Sequence, residues 1–523
     1  MAIVKHPPLP PPASPPANAT SGPRPASPTS STRSARSLWL LALAAAVFFC
    51  TGLGALDLWA PDEPRYAAIA EELRSARHGL RGLVLLHLND APYDQKPPLW
   101  FWLAAAFGLV GDRVDEVAAR LPSALAGVAS VVMTFGIARM LRFPAGSAWL
   151  AAGLLATSFR FVFTARRAQL DVLLCACELA AIAVFLLLET RRGGIESARR
   201  HPGWIAAFHG ALGAAALVKG PVGWLPLGVL AVWLAWEGRL AALRKLTPAW
   251  AWLLSLGPIV LWITLASLLA PDGFVRDAVG TNVFARFFAG TSHARPFYYY
   301  LYQLPLDGLP WSPLWLAALP GLARTARRPQ SRAPDVGRAA TARLLVAWIG
   351  LAFVFFSLSA GKRGLYLLPI HPALALAAAL AVGASRVRAR RLAWAIGAVA
   401  LVELGGALLV LPRLDAEKSP RPIAESIARH SEPGERVGLY GLRPLEGAIP
   451  YYGDRPVERL EERPDARAFL ARGGRLILLR EGAFESLRAH LALTPVDRFR
   501  SGRRTLVLAR AHATAPPRPP PAP

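Results

Sequence analysis

Asp62-Glu63-Pro64-Arg65-Tyr66, followed in the same stretch by Tyr93-Asp94-Gln95-Lys96-Pro97-Pro98-Leu99, decides how this chain reads. Both segments lie between Trp59 and Trp102, just after the first hydrophobic run. They carry acids, a lysine and several aromatics, and are too polar to sit in lipid. Beyond them the chain alternates between long apolar runs and short basic loops. Apolar runs of roughly 20 residues indicate membrane-crossing helices rather than a soluble core. The chain therefore reads as a polytopic α-helical membrane protein, with the Trp59–Trp102 stretch as the reactive face of an enzyme.

Composition agrees. Of 523 residues, 54% are hydrophobic, too many for an ordinary soluble protein of this length. The formal charge of +25 does not point to nucleic acid, because the basic residues cluster in loops between apolar runs, as the positive-inside rule requires. Cys50, Cys175 and Cys177 fall in or beside apolar spans, so neither a disulfide framework nor a zinc site is expected.

Residues 1–36 are rich in Pro, Ser and Ala, and carry Lys5, Arg24, Arg33 and Arg36 without an acid. They read as a disordered cytoplasmic tail. Residues 37–412 form the membrane domain, with about eleven spans. These are 38–56, 117–140, 144–161, 172–189, 203–218, 221–237, 248–270, 298–320, 344–359, 364–383 and 392–411. The first outer loop runs from 58 to 116. Within it, 97–111 is too short for a span, and counting it as one would reverse every later loop. It is placed as an interfacial or re-entrant helix. From 413 to 510 the apolar runs shorten and alternate with charged helices, as in a small soluble α/β domain. Strands are expected at 436–442, 476–480 and 505–509, and helices at 423–430, 466–472 and 484–491. This domain falls on the outer face. Residues 511–523 are a Pro/Ala tail.

Several polar residues fall at the outer ends of spans. Pro64 suits a first helical turn, so Asp62 or Glu63 could cap an interfacial helix. Tyr66, Ile69, Ala70 and Leu73 would share its apolar face. The alternative is a carboxylate facing a cavity, acting as general base on a hydroxyl or amine. Lys96, before Pro97-Pro98, either snorkels to headgroups or binds a phosphate as a point charge. Asp171 either caps a span or faces the same cavity as Asp62. Lys219 sits at the tip of a hairpin. His293 and Arg295 lie in an outer loop before an aromatic run, and a solvated His is the default. Lys362, Arg363 and Tyr366 sit on the side where basic residues are scarce, which suggests that they hold an anion. Fixed cations and carboxylates on one face suit a phosphorylated lipid and a reacting nucleophile.

These motifs, in this order, resemble the GT-C glycosyltransferases of the aminoarabinose transferase and protein O-mannosyltransferase group. Supporting matches are Gln169-Leu170-Asp171, Lys219-Gly220-Pro221, His293-Ala294-Arg295-Pro296-Phe297-Tyr298 and Lys362 to Pro369. The resemblance implies transfer of a sugar from a polyprenyl-phosphate donor to a glycolipid, such as lipid A, or to a protein, at the periplasmic face of a bacterial inner membrane. It assigns Asp62 and Asp171 as the catalytic acids, and Lys96, Lys362, Arg363 and Tyr366 as donor-phosphate-binding residues of one cavity. Glu63, Arg65, Tyr66, His293 and Arg295 are further cavity candidates. Relatives tend to carry an acid before the lysine, where this chain has Gln95. That weakens the case for a divalent metal held there with His293. The competing readings are a lipid-linked-sugar flippase, which needs no carboxylate beside the phosphate site, and a non-catalytic envelope assembly protein.

Overall fold

The computed structural model describes residues 29–285, 288, 293–329, 337–383, 385–502 and 504–511. Most of the expected N-terminal tail and residues 512–523 lie outside the described residues. Residues 29–36, expected to belong to that tail, are helical instead, as the start of Thr29–Cys50. The described residues from 42 onward form one compact unit.

Six helical runs among the described residues are long and apolar enough to cross a bilayer, and eight if two bent pairs each count once. The bent pairs are Ala145–Ala156 with Phe159–Ala165, and Ala249–Ser255 with Gly257–Leu269. Three of the eleven expected spans are missing from that count, each for a different reason. The first apolar helix, Arg36–Cys50, is short. The expected 298–320 span is broken into Tyr299–Asp307 and Ser312–Ala326. The third is hidden inside the continuous run Pro202–Trp236. Lys219, in the middle of that run, pairs with Asp171 at one end of the Leu170–Arg191 helix. Arg239, just past its close, pairs with Glu189 at the other end of the same helix. The run therefore folds back at Gly220–Trp224, as the expected hairpin does. Gly223 permits the reversal, because a Cβ there would lie 2.4 Å from the Ala216 nitrogen.

The stretch that opens the sequence folds over one end of this bundle. The Asp62–Arg74 helix has no side-chain cap; its first-turn acids are used elsewhere. Tyr66 packs between Trp100 and Phe101 of the Leu99–Gly108 helix, with ring centroids 5.6 Å apart in both cases. Between the two helices, β1 (His87–Leu88) and β2 (Ala91–Pro92) form a small antiparallel hairpin. The expected amphipathic helix with one exposed face is not what forms. Nine of the thirteen residues of Asp62–Arg74 are buried, because the C-terminal domain covers the side turned away from the bundle.

That domain is built on a five-stranded sheet. Its strands are β3 (Val437–Tyr440), β4 (Val457–Leu460), β5 (Leu476–Arg480), β6 (Leu493–Ser501) and β7 (Arg504–Ala511), in the order β4-β3-β5-β7-β6. β3 runs parallel to β4 and β5, while β7 runs antiparallel to β5 and β6. The three expected strands are the three central ones, and the three expected helices are present as Arg421–His430, Arg463–Ala471 and Glu481–Leu491. The two edge strands went unread because their sequences are polar. The Asn89 side chain joins the outer edge of β4, donating to the Val457 carbonyl and accepting from the Val457 N–H.

Arg421 locks the domain to the bundle, reaching Asp57 at 2.7 Å and Glu116 at 2.6 Å. Tyr451 donates to the Val114 carbonyl at 2.7 Å. Gly447 lies against the backbone of Arg65, where a Cβ would come within 2.2 Å of the Arg65 Cα. Backbone cannot yield as a side chain can. Gly447→Val should therefore destabilise the protein by at least about 1 kcal/mol and lower its midpoint in a detergent thermal melt. A wild-type melting curve for that variant would contradict the packing.

Candidate active site

Two adjacent acids of the Asp62–Arg74 helix face different surroundings. Glu63 is 1% exposed. It accepts from Arg120 Nε at 3.0 Å, Arg167 Nη1 at 2.9 Å, the Ala168 N–H at 3.0 Å and the Trp59 N–H at 3.1 Å. Arg120 in turn donates to the carbonyls of Leu53, Leu56 and Asp57. Burial alone would raise the Glu63 carboxyl, but Arg120 and Arg167 together hold it below the usual range. Glu63 is thus a structural anchor, not the cavity residue expected from sequence.

Asp62 is 5% exposed and points the other way. Its Oδ1 accepts from Arg65 at 2.5 Å and its Oδ2 from Arg363 at 2.9 Å. Gln169 adds a further side-chain hydrogen bond. Burial would raise this carboxyl too, and Arg363 and then Arg65 bring it below its ordinary value. Tyr66, buried and close to Asp62 and Tyr93, is held well above the usual phenol range and stays a neutral donor.

A second acid–base pair stands nearby. Asp171, in the first turn of Leu170–Arg191, is ion-paired with Lys219. The Lys219 ammonium lies 4.4 Å above the centre of the Tyr366 ring. Arg363 also feels the Asp171 charge, which joins the two pairs into one cluster. Asp62, Arg65, Gln169, Asp171, Lys219, Arg363 and Tyr366 thus come from four separate parts of the chain. Lys219, ambiguous in the sequence, belongs here.

Lys362 behaves differently from Arg363. It is 4% exposed, and its ammonium donates to the carbonyls of Ser359 and Arg295. Its N–H donates to the His293 carbonyl at 2.9 Å, beside an antiparallel bridge between Ala294 and Gly361. Lys362, expected at the donor phosphate, instead clasps two loops together, while the Arg363 guanidinium turns to Asp62. Arg363 is steadied by Tyr300, whose hydroxyl donates to its carbonyl at 3.0 Å. Next to it, Gly364 sits on the Arg160–Asp307 ion pair, and a Cβ there would come within 2.5 Å of Asp307 Oδ2. His293 and the Arg295 side chain are exposed on the same loop. Lys96 is half-buried just before Leu99–Gly108. Its neighbour Asp94 accepts from Asn282 at 3.1 Å, which ties this segment to the 276–285 helix.

Among the described residues, Glu72, His78 and Asp90 make a metal-ligand group, at the far end of the Asp62–Arg74 helix. There His78 already faces Glu72 at 3.2 Å. The sequence reading missed Arg120 and the Arg160–Asp307 pair. Their signal was available: an ionisable residue inside an apolar run implies a buried partner.

Breaking a buried ion pair by neutralising one member costs about 3–5 kcal/mol. Glu63→Gln should therefore lower the melting midpoint sharply. A carboxyl held below its usual value stabilises the fold at every pH above about 4.3, and that stabilisation is lost as pH falls through the lower native value. The stability difference between wild type and Glu63→Gln should accordingly be flat from neutral pH down to about 5 and vanish only at stronger acid. Parallel melts across that range check it.

Comparisons with known proteins agree with this arrangement. The dolichyl-phosphate-mannose-protein mannosyltransferase family description matches residues 37–275. An undecaprenyl phosphate-alpha-4-amino-4-deoxy-L-arabinose arabinosyl transferase from Pseudomonas aeruginosa is 31% identical over 407 residues, 75% of this chain and 67% of that protein. Arabinosyl transferase 2 from Pseudomonas fluorescens is 31% identical over 347 residues, 65% of this chain and 55% of that protein. The chain thus spans between about half and two thirds of the length of these curated relatives. Among solved structures, ArnT from Cupriavidus metallidurans bound to undecaprenyl phosphate superposes with TM-score 0.73 at 23% identity, covering 92% of this chain and 99% of that one. The archaeal oligosaccharyltransferase AglB from Archaeoglobus fulgidus gives 0.54 at 14% identity, covering 89% and 71%. At these identities the two structures speak for the fold.

Proposed function

The chain belongs to the undecaprenyl phosphate-aminoarabinose arabinosyl transferase family, and from that premise we infer that it is a glycosyltransferase drawing on a polyprenyl-phosphate-linked sugar. The acceptor in this reading is a glycolipid of the lipid A type, met at the periplasmic face of a bacterial inner membrane. The N-terminus is then cytoplasmic and the C-terminal domain periplasmic. The observation that carries the reading is a buried carboxylate, Asp62, held between two guanidiniums beside a second carboxylate–ammonium pair. A transporter has no need of a carboxylate at its phosphate site.

The chemistry follows from those charges. The acceptor oxygen or nitrogen attacks the anomeric carbon while the bond from that carbon to the carrier phosphate breaks. The bonding pair leaves on the phosphate oxygen, and the acceptor proton passes to Asp62. A carboxylate held low by two arginines is a weak base. It takes the proton late, once bond formation to an oxocarbenium-like centre has made the attacking group acidic. Phosphate is a good leaving group and needs no general acid. Lys96 and Arg363 stabilise the charge that grows on it, and Asp171 with Lys219 orients the sugar. One displacement inverts the anomeric centre.

In this reading Asp62→Asn keeps the fold and binds the carrier lipid but loses transfer by at least about a hundredfold. Because Asp62 titrates below the ordinary carboxylate range, the acid limb of the wild-type rate falls below about pH 4. Labelled donor, acceptor and mass spectrometry of the product read both. Wild-type turnover by Asp62→Asn would end the proposal.

A further inference from the structure

The Asp62–Arg74 helix ends in a second polar cluster, ten residues on from Asp62. Glu72, in its last turn, is 6% exposed. Its Oε1 accepts from the Asn89 N–H at 2.6 Å, and its Oε2 faces His78 Nε2 at 3.2 Å. The same Nε2 lies 3.7 Å from Asp90 Oδ1. One ligand atom from each of the three residues lies within 4.8 Å of the other two. A tetrahedral zinc ion sets its nitrogen and oxygen ligands about 3.3 Å apart. The two spacings at His78 already stand near that value, and Asp90, exposed at a turn, is free to close the third.

The three side chains are held from behind, as metal ligands are. Asn89 and Asp90 form the turn of the β1–β2 hairpin, both with left-handed backbone, at φ 58° and 62°. The Asn89 side chain grips Val457 of β4 and fixes that turn. The His87 ring stacks on His78, with centroids 3.7 Å apart and planes 18° from parallel. Burial lowers His87 below its usual range, so the stack does not set two cations face to face.

The charge at this end of the helix is poorly balanced. Glu63 meets two guanidiniums and is held low, whereas burial raises the Glu72 carboxyl despite the Asn89 N–H and His78, and the Asp90 charge adds to the rise. Arg77 reaches Asp90 only at 3.8 Å, where both side chains are about half exposed. One imidazole nitrogen and two carboxylates are a three-ligand set that suits zinc with a fourth position open to water. Glu72 and Asp90 also line a cleft of about 640 Å³ beside the C-terminal domain, which gives an ion its way in.

We propose that Glu72, His78 and Asp90 bind a divalent cation of the zinc class. The ion clamps the hairpin turn, and through Asn89 the edge of the C-terminal sheet, to the Asp62–Arg74 helix. His78 binds as the neutral imidazole, and any proton on Nε2 passes to solvent as the metal enters. This clamp does not depend on the transfer reaction inferred above.

The test uses the full chain, untagged, in lipid nanodiscs. It is stripped with EDTA and dialysed against zinc chloride, bound zinc is counted by mass spectrometry, and thermal melts are run with and without the metal. Wild type should hold one tightly bound zinc and melt about 3 °C higher at a hundredfold excess over the dissociation constant. Asp90→Asn keeps a residue that tolerates the left-handed turn and should melt like wild type without zinc. It and His78→Gln should each bind zinc at least about tenfold more weakly and lose the rise. His293→Gln should bind as wild type does, and magnesium should give no rise. No tight zinc in wild type, undiminished zinc in Asp90→Asn, loss of zinc in His293→Gln or an equal rise with magnesium would overturn the proposal.

Discussion

The arrangement depends on one buried ion cluster, Glu63 with Arg120 and Arg167. A carboxylate removed from water costs several kcal/mol unless its lone pairs are used. Glu63 satisfies its own with two arginines and two backbone N–H groups. Each arginine belongs to a different element, so the cluster ties the Asp62–Arg74 helix to the Glu116–Met140 helix and to the 166–171 loop. With Glu63 fixed, its neighbour Asp62 has one direction left to face. The Asp62 carboxylate is aimed by the one beside it.

The same economy holds around Arg363. Its partner Asp62 is distant in sequence, and its position is set by contacts to its own backbone and to the residues beside it. Tyr300 grips its carbonyl, Lys362 clasps the adjoining loop, and Gly364 lets the backbone settle onto the Arg160–Asp307 pair. Of two neighbouring cations, the one whose ammonium donates to backbone carbonyls was taken into the scaffold. The one with a planar fork was left to meet a carboxylate.

Much of this was legible in the sequence, for identifiable reasons. Asp62, Asp171, Arg363 and Tyr366 stood out because polar groups at span ends are few. The central strands of the C-terminal domain stood out because they are buried on both faces and read as unbroken apolar runs. What could not be read was partnership. Glu63 and Asp62 are equivalent in sequence, and only three-dimensional contacts separate their surroundings. Lys362 and Arg363 pose the same problem. The expected spans and the long apolar helices differ in number where helices are short, broken or doubled back, since hydropathy measures length of apolar chain and not its direction. The edge strands β4 and β6 escaped because half of each faces water.

Those edges matter for association with other chains. An open strand presents unpaired amides that can template association with another chain. Here Asn89 poses as one more strand residue beside Val457, and the amide it borrows from the membrane unit closes that side. At the opposite margin Pro495, the register shift after it and the charges at Asp497, Arg498 and Arg500 discourage any newcomer. Both margins of the sheet are thereby guarded, one of them at Val457 by a single asparagine.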